Sequence, residues 1–283
     1  MEVIKSSRIG FCFGVRRAID ILEKLVRERG RVESLGEVVH NEQVIQRLNQ
    51  LGVRIARDID DIQGKTIVLG AHGTSPETDE ILRERGIEII DTTCPFVIRA
   101  QKAAKRLADE QYFVIVFGDA GHVEVKGILG WAGNRGLATT SIDKLASISG
   151  IPLLVGILSQ TTQIPAMFSS FVREAFNVLY RKDSEIRIID TICHDIRDRQ
   201  EAALSLAQKV DLMLVVGSLH SANTRHLTEL CSGITVTYQV TSSQELKSEW
   251  FKGIKKVGIT GGASTSENTI QEVYNRLTEI ISV

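Results

Sequence analysis

Residues 89–94 read Ile89-Ile90-Asp91-Thr92-Thr93-Cys94 and residues 188–193 read Ile188-Ile189-Asp190-Thr191-Ile192-Cys193, the same hexapeptide but for one position after a shift of 99. The shift persists downstream. Gln101, Ala103, Ala104, Leu107 and Ala108 fall on Gln200, Ala202, Ala203, Leu206 and Ala207, and Gly118 falls on Gly217, each glycine closing an apolar run. A third copy lies upstream at a shift of 82, where Cys12, Gly36, His40 and Glu42 fall on Cys94, Gly118, His122 and Glu124. Internal repetition of this extent sets the architecture before local propensity is consulted. It divides the chain into three units, 1–91 headed by Cys12, 92–190 headed by Cys94 and 191–283 headed by Cys193.

Each unit reads as a strand ending at its cysteine, a helix, a second strand ending at glycine, a polar turn and a further strand. Apolar residues at spacings of three and four predict helices over 15–29, 96–110, 197–209 and 267–281. Continuous apolar runs over 112–117 and 212–216 predict parallel strands covered on both faces, because such strands lose polar alternation. Strands are also expected over 66–70, 153–158 and 257–260. The class is α/β, and ligands of such sheets sit beyond the carboxyl ends of the strands, where the cysteines and polar turns fall.

The 283 residues are 43% hydrophobic and 24% charged, a composition that excludes disorder as the main state. Lys+Arg of 34 against Asp+Glu of 35 gives a net charge of −1, and no dense basic run argues for a nucleic-acid partner. No stretch reaches the roughly 18 apolar residues that span a bilayer, and Met1-Glu2-Val3-Ile4-Lys5 lacks the apolar core of a signal peptide, so a cytoplasmic location is expected. In that reducing compartment the four cysteines are better candidates for metal ligation or catalysis than for disulfides.

Cys12, Cys94 and Cys193 share the repeat register and would suit an iron-sulfur cluster or a zinc ion, both of which take soft sulfur ligands. Cys231 breaks the register, and packing within a helix is the expected role. The polar turns form a second group: Gly36 to Glu42 with His40, Gly118 to Glu124 with His122, and Gly217 to Asn223. At the shift of 99, His122 and Glu124 become Ser221 and Asn223, all able to hydrogen-bond an anion or a hydroxyl. A third set, Ala71-His72-Gly73-Thr74, Ser159-Gln160-Thr161-Thr162 and Gly262-Ala263-Ser264, follows the later strands. Small and hydroxylic residues at helix starts are ordinary caps, yet beside histidines they can line a phosphate site. Glu124 is either a proton donor near a metal or a surface carboxylate beside Lys126. No G-x-G-x-x-G, P-loop or G-x-S-x-G occurs, which removes the commonest nucleotide and serine-hydrolase readings.

Taken together, Gly10-Phe11-Cys12-Phe13-Gly14-Val15, Glu37-Val38-Val39-His40-Asn41, Gly70-Ala71-His72-Gly73, Asp91-Thr92-Thr93-Cys94-Pro95, Gly121-His122-Val123-Glu124, Ser159-Gln160-Thr161-Thr162, Asp190-Thr191-Ile192-Cys193 and Gly262-Ala263-Ser264 resemble the LytB/IspH family. That is the family of 4-hydroxy-3-methylbut-2-enyl diphosphate reductases, which close the non-mevalonate (MEP) isoprenoid pathway. The resemblance covers nearly the whole chain. It implies a trefoil of three α/β units with parallel sheets around one 4Fe-4S cluster, held by Cys12, Cys94 and Cys193 with one iron left open. It further implies diphosphate binding by His40, His72, His122, Ser221, Asn223 and Ser264, with Glu124 and Thr161 catalytic. The expected products are isopentenyl and dimethylallyl diphosphate, and the expected electron donor is a ferredoxin or flavodoxin. The chain departs from the family pattern at Ala222, where a serine is common, at Val123, where a proline is usual, and at His194-Asp195-Ile196-Arg197, where smaller residues follow the cysteine. Readings from other classes are a non-catalytic iron-sulfur sensor or anion-binding protein on the same fold, and a zinc hydrolase.

Overall fold

The computed structural model describes residues 1–133 and 135–282, with side chains through 280, and among them are twelve strands and ten α-helices, mostly in alternation. The strands form three four-stranded sheets, and every pairing is parallel. One sheet holds β2 (Val32–Leu35), β3 (Val53–Ala56), β4 (Thr66–Leu69) and β5 (Glu88–Asp91) in the order β3-β2-β4-β5. Another holds β6 (Phe113–Phe117), β7 (Gly136–Ala138), β8 (Leu154–Ser159) and β9 (Glu185–Ile189) in the order β7-β6-β8-β9. The third holds β10 (Leu212–Val216), β11 (Val236–Val240) and β12 (Lys256–Gly261), completed by the first strand of the chain, β1 (Glu2–Lys5), in the order β1-β12-β10-β11.

All three sheets therefore share one order, with β1 taking the place that β5 and β9 hold elsewhere. β5 and β9 lie within the stretches 1–91 and 92–190 whose sheets they join, whereas the third sheet takes its fourth strand, β1, from the start of the chain. A repeat in sequence records which segments look alike and not which neighbour each one pairs with, so this closure lies outside local reading. By packing, the chain falls into two compact units. One comprises Met1–Arg16, Val39–Arg47 and the chain from His194 onward; the other comprises Arg17–Val38 and Leu48–Cys193.

Period-two alternation decides which face each strand side chain covers. In β10, Leu212, Leu214 and Val216 pack with Ile259 on Ile270, Val273 and Leu277 of α10 (Glu267–Ser282). Met213 and Val215 face the other way, onto Ala203 and Leu206 of α8 (His194–Ala207) and Leu227 and Cys231 of α9 (Ala222–Ser232). Cys231 is thus a core residue as expected, and burial pushes its thiol up to about 11. Around β6 and β8, Ala100, Ala104 and Leu107 of α4 (Pro95–Asp109) cover one face with Val114, Val116 and Leu158, while Phe117, Ile157, Phe168 and Phe171 fill the other. Among the described residues no helix is long and apolar enough to cross a membrane.

Leu107 is 1% exposed in this cluster. Leu107→Ala should cost about 2–5 kcal/mol, the lost transfer energy plus the cavity left behind. Urea denaturation with an unchanged slope and a lowered midpoint is the expected result.

Candidate functional site

Each of the three register cysteines immediately precedes a helix: Cys12 precedes α1 (Phe13–Arg29), Cys94 caps α4 and Cys193 precedes α8. Thiols at helix N-termini are turned toward the thiolate form by the free N–H groups there. The Val15 N–H points at the Cys12 sulfur at 3.5 Å. Burial pushes the Cys94 thiol above its ordinary value, while the N–H groups of Phe96 and Val97 and the Arg17 charge pull it back.

The repeated Asp-Thr before two of these cysteines is a structural device. Asp91 Oδ1 accepts the Thr93 N–H at 2.8 Å, and Asp190 Oδ1 accepts the Ile192 N–H at 3.1 Å. Thr92 Oγ1 donates to Leu69 O at 2.6 Å, and Thr191 Oγ1 donates to Ser159 O, so each threonine ties the loop to the end of the neighbouring strand. Before Cys12 no such pair exists, because β1 ends at Lys5, well short of the cysteine that sequence reading placed at its end.

Glu124 lies in the first turn of α5 (Val123–Trp131), and His122 caps that helix by accepting the Glu124 N–H at Nδ1, 3.2 Å away. A neutral His122 must then carry its proton on Nε2. The His72 ring meets His122 edge-on with centroids 5.5 Å apart. His72 sits in a turn that needs glycine next: Gly73 has φ of +69°, and a Cβ there would lie 2.6 Å from Gln101 Nε2. Glu124 is 2% exposed, so the alternative of a surface carboxylate is overturned. Its Oε1 accepts the Thr161 N–H at 2.7 Å and its Oε2 accepts the Thr161 hydroxyl at 2.9 Å. Thr161 O in turn accepts the Cys193 N–H at 3.0 Å, and Ala71 O accepts the Cys94 N–H at 3.0 Å. One network thus joins Glu124, Thr161 and the Cys193 backbone, and the Cys94 loop is pinned beside His72. Burial raises the Glu124 pKa, with the two Thr161 bonds opposing it. The His122 cap and the two Thr161 bonds hold the Glu124 carboxyl next to Val123.

The other compact unit gathers Cys12, His40, Ser221, Asn223 and Ser264. Ala263 O accepts the Cys12 N–H at 2.9 Å, Ser264 Oγ donates to His40 O at 3.2 Å, and Asn41 Nδ2 donates to Ser264 O at 2.9 Å. Asn41 also caps α2 (Glu42–Leu51) by accepting the Val44 N–H at Oδ1, 3.2 Å away. Ser221 caps α9 through the Thr224 N–H at 3.4 Å. Gly262 allows that helix start to approach, because a Cβ there would sit 2.1 Å from Thr224 Oγ1. Asn223 is 3% exposed, and neither Nδ2 nor Oδ1 has a hydrogen-bond partner. A buried carboxamide left unpaired costs about 1–3 kcal/mol per group.

The shift of 99 therefore maps cap to cap and buried polar group to buried polar group, His122 to Ser221 and Glu124 to Asn223. The shift of 82 does so less well: the cap of α2 is Asn41 rather than His40, and Glu42 is exposed. Sequence reading singled out neither Asn41 nor Gln160, whose Oε1 accepts the Asp119 N–H at 3.2 Å. Asn41 carried a usable signal, an N-cap residue directly before a helical stretch.

This is a repeated parallel α/β protein with three cysteine-headed helices and a buried acid. The chain belongs to the LytB family, whose sequence profile, described as LytB protein, matches residues 3–278. It is 55% identical over 277 residues to the 4-hydroxy-3-methylbut-2-enyl diphosphate reductase of Dehalococcoides mccartyi strain CBDB1, covering 98% of both chains. It is 40% identical over 281 residues to the reductase of the same name from Geobacter sulfurreducens, covering 99% of this chain and 98% of that one. The solved structure of the E-1-hydroxy-2-methyl-but-2-enyl-4-diphosphate reductase from Plasmodium falciparum superposes with a TM-score of 0.91 at 27% identity, over 98% of this chain and 88% of that one.

The raised Glu124 pKa has a definite sign for stability. Folding with a neutral carboxyl is favoured below the ordinary carboxylate pKa, and that contribution is lost as pH rises through the higher folded value. Glu124→Gln should therefore gain on the wild type in urea midpoint as pH rises above the ordinary carboxylate pKa. Parallel pH curves for the two proteins would contradict the buried-acid reading.

Proposed function

We infer that this chain is a 4-hydroxy-3-methylbut-2-enyl diphosphate reductase, taking the allylic alcohol with two electrons and two protons to isopentenyl or dimethylallyl diphosphate and water. The observation that carries the reading is the buried Glu124 carboxyl, gripped twice by Thr161, which also takes the Cys193 N–H. The three units 1–91, 92–190 and 191–283 each contribute one cysteine, and Cys12, Cys94 and Cys193 hold a 4Fe-4S cluster. Three soft sulfur donors at helix starts suit such a group. When bound, such a group would pass on electrons and act as a Lewis acid toward the substrate hydroxyl.

The chain's own side chains do the rest. His40, His72, His122, Ser221, Asn223 and Ser264 bind the diphosphate, and the unpaired Asn223 amide supports an anionic or hydroxylic ligand at that helix start. Glu124, whose pKa burial raises, delivers the proton with which the hydroxyl departs as water. Thr161 orients that carboxyl and lies beside the hydroxyl. Electrons come from a separate carrier, a ferredoxin or flavodoxin, in the cytoplasm.

The test is anaerobic. The protein is reconstituted with iron and sulfide, supplied with a reduced viologen and followed for dye oxidation on adding the allylic diphosphate. Substrate-dependent oxidation is expected; a cluster that forms and leaves the dye untouched would replace the reductase by a sensor. Glu124→Gln should retain the cluster and lose turnover by about 10²-fold or more. Asn223→Ala should raise KM about ten- to a hundred-fold, the equivalent of one hydrogen bond to a charged group.

A further inference from the structure

Three arginines make the same kind of contact, one that neither the sheets nor the chemistry above requires. Arg17, in the helix after Cys12, donates from Nη1 to Thr92 O at 3.0 Å and Thr93 O at 3.2 Å, directly ahead of Cys94. Arg99, in the helix after Cys94, donates from Nη2 to Asp190 O at 2.9 Å, ahead of Cys193. Arg199, in the helix after Cys193, donates to Arg8 O at 3.3 Å and Gly10 O at 3.0 Å, ahead of Cys12, and to Gly261 O at 3.1 Å. Each cysteine-headed helix thus braces the loop that carries another cysteine, and the third reaches back to the first.

Arg199 differs from its counterparts in burial. It is 2% exposed, whereas Arg17 is half-buried and Arg99 exposed. Its nearest carboxylate oxygen, Asp195 Oδ2, stands 3.8 Å away, an ion-pair distance too long for a hydrogen bond, and its buried Nε has no acceptor. At the shift of 99 it falls on Ala100, an apolar core residue, so the repeat itself does not demand an arginine. A neutral amide could also bond backbone carbonyls. A full buried charge costs several kcal/mol unless negative charge lies near. Burial pulls the guanidinium pKa down, and the Asp195 and Cys12 charges act against that.

We propose that Arg17, Arg99 and Arg199 are positioning residues for the metal group on the three cysteines, and that buried Arg199 also offsets the thiolate charge at Cys12 and keeps the group's reduction potential up. The proposal rests on the iron-sulfur reading above. Potentials of such groups follow nearby charge. Loss of the cation at 199 disfavours the reduced, more negative state, and loss of the carboxylate at 195 favours it.

The experiment measures iron and sulfide content and the midpoint potential of reconstituted wild type, Arg199→Met, Arg199→Lys and Asp195→Asn, by anaerobic dye titration followed in the visible spectrum. Arg199→Met should shift the midpoint downward, Arg199→Lys should recover most of the shift, and Asp195→Asn should move it upward. A purely structural role would not give opposite signs at the two positions. A loaded Arg199→Met with an unmoved midpoint overturns the proposal. If Arg199→Met fails to load, Arg199→Lys decides: recovered loading supports the charge role, and failure to recover it overturns that role. A wild type that takes up iron without sulfide overturns the iron-sulfur reading itself, a result separable from the others.

Discussion

The grip of Thr161 on the Glu124 carboxyl is the constraint around which the rest of this structure is arranged. A carboxyl at 2% exposure loses its water, and its two oxygens must find donors inside the protein. Thr161 supplies both from one residue, its N–H and its hydroxyl. The loop after β8 must therefore place that threonine above the first turn of α5, and Gln160 N bonded to Phe117 O at 2.9 Å holds it there. Because Thr161 O takes the Cys193 N–H, the cysteine loop inherits its position from the same residue.

Parallel sheets make such an arrangement available. Strands covered on both faces leave only their ends open, and the carboxyl ends of β4, β6, β8, β10 and β12 carry the turns described here. Helix starts beyond strand ends present free N–H groups: His122 and Ser221 lie at those after β6 and β10, and the three cysteines at those after β1, β5 and β9. Threefold repetition then provides related positions that diverged in chemistry while keeping their caps: an acid at 124 and a carboxamide at 223, each buried at the second residue of its helix.

Several features were legible in the chain alone. The shared hexapeptide, the apolar runs and the helical spacing gave the α/β class and strands close to those observed; the predicted 212–216 coincides with β10 (Leu212–Val216). Cys231 was readable as core because it broke the register. Motif order placed the chain beside the LytB/IspH family, and the family profile agrees. Less legible was the role of Asp91, Thr92, Asp190 and Thr191, which proved to be loop braces, since a hydrogen bond to a neighbouring strand leaves no trace in a single copy of the motif.

Sequence by itself determined what repeats and what kind of chemistry each repeat carries, because periodicity and residue type are local properties. Tertiary structure alone decided that β1 closes the third sheet, that Glu124 is buried, and that Arg199 is a charge in the interior. Those depend on partners far apart in the chain, such as Arg199 with Gly10 and Glu124 with Thr161, and only the folded backbone fixes the distance between them.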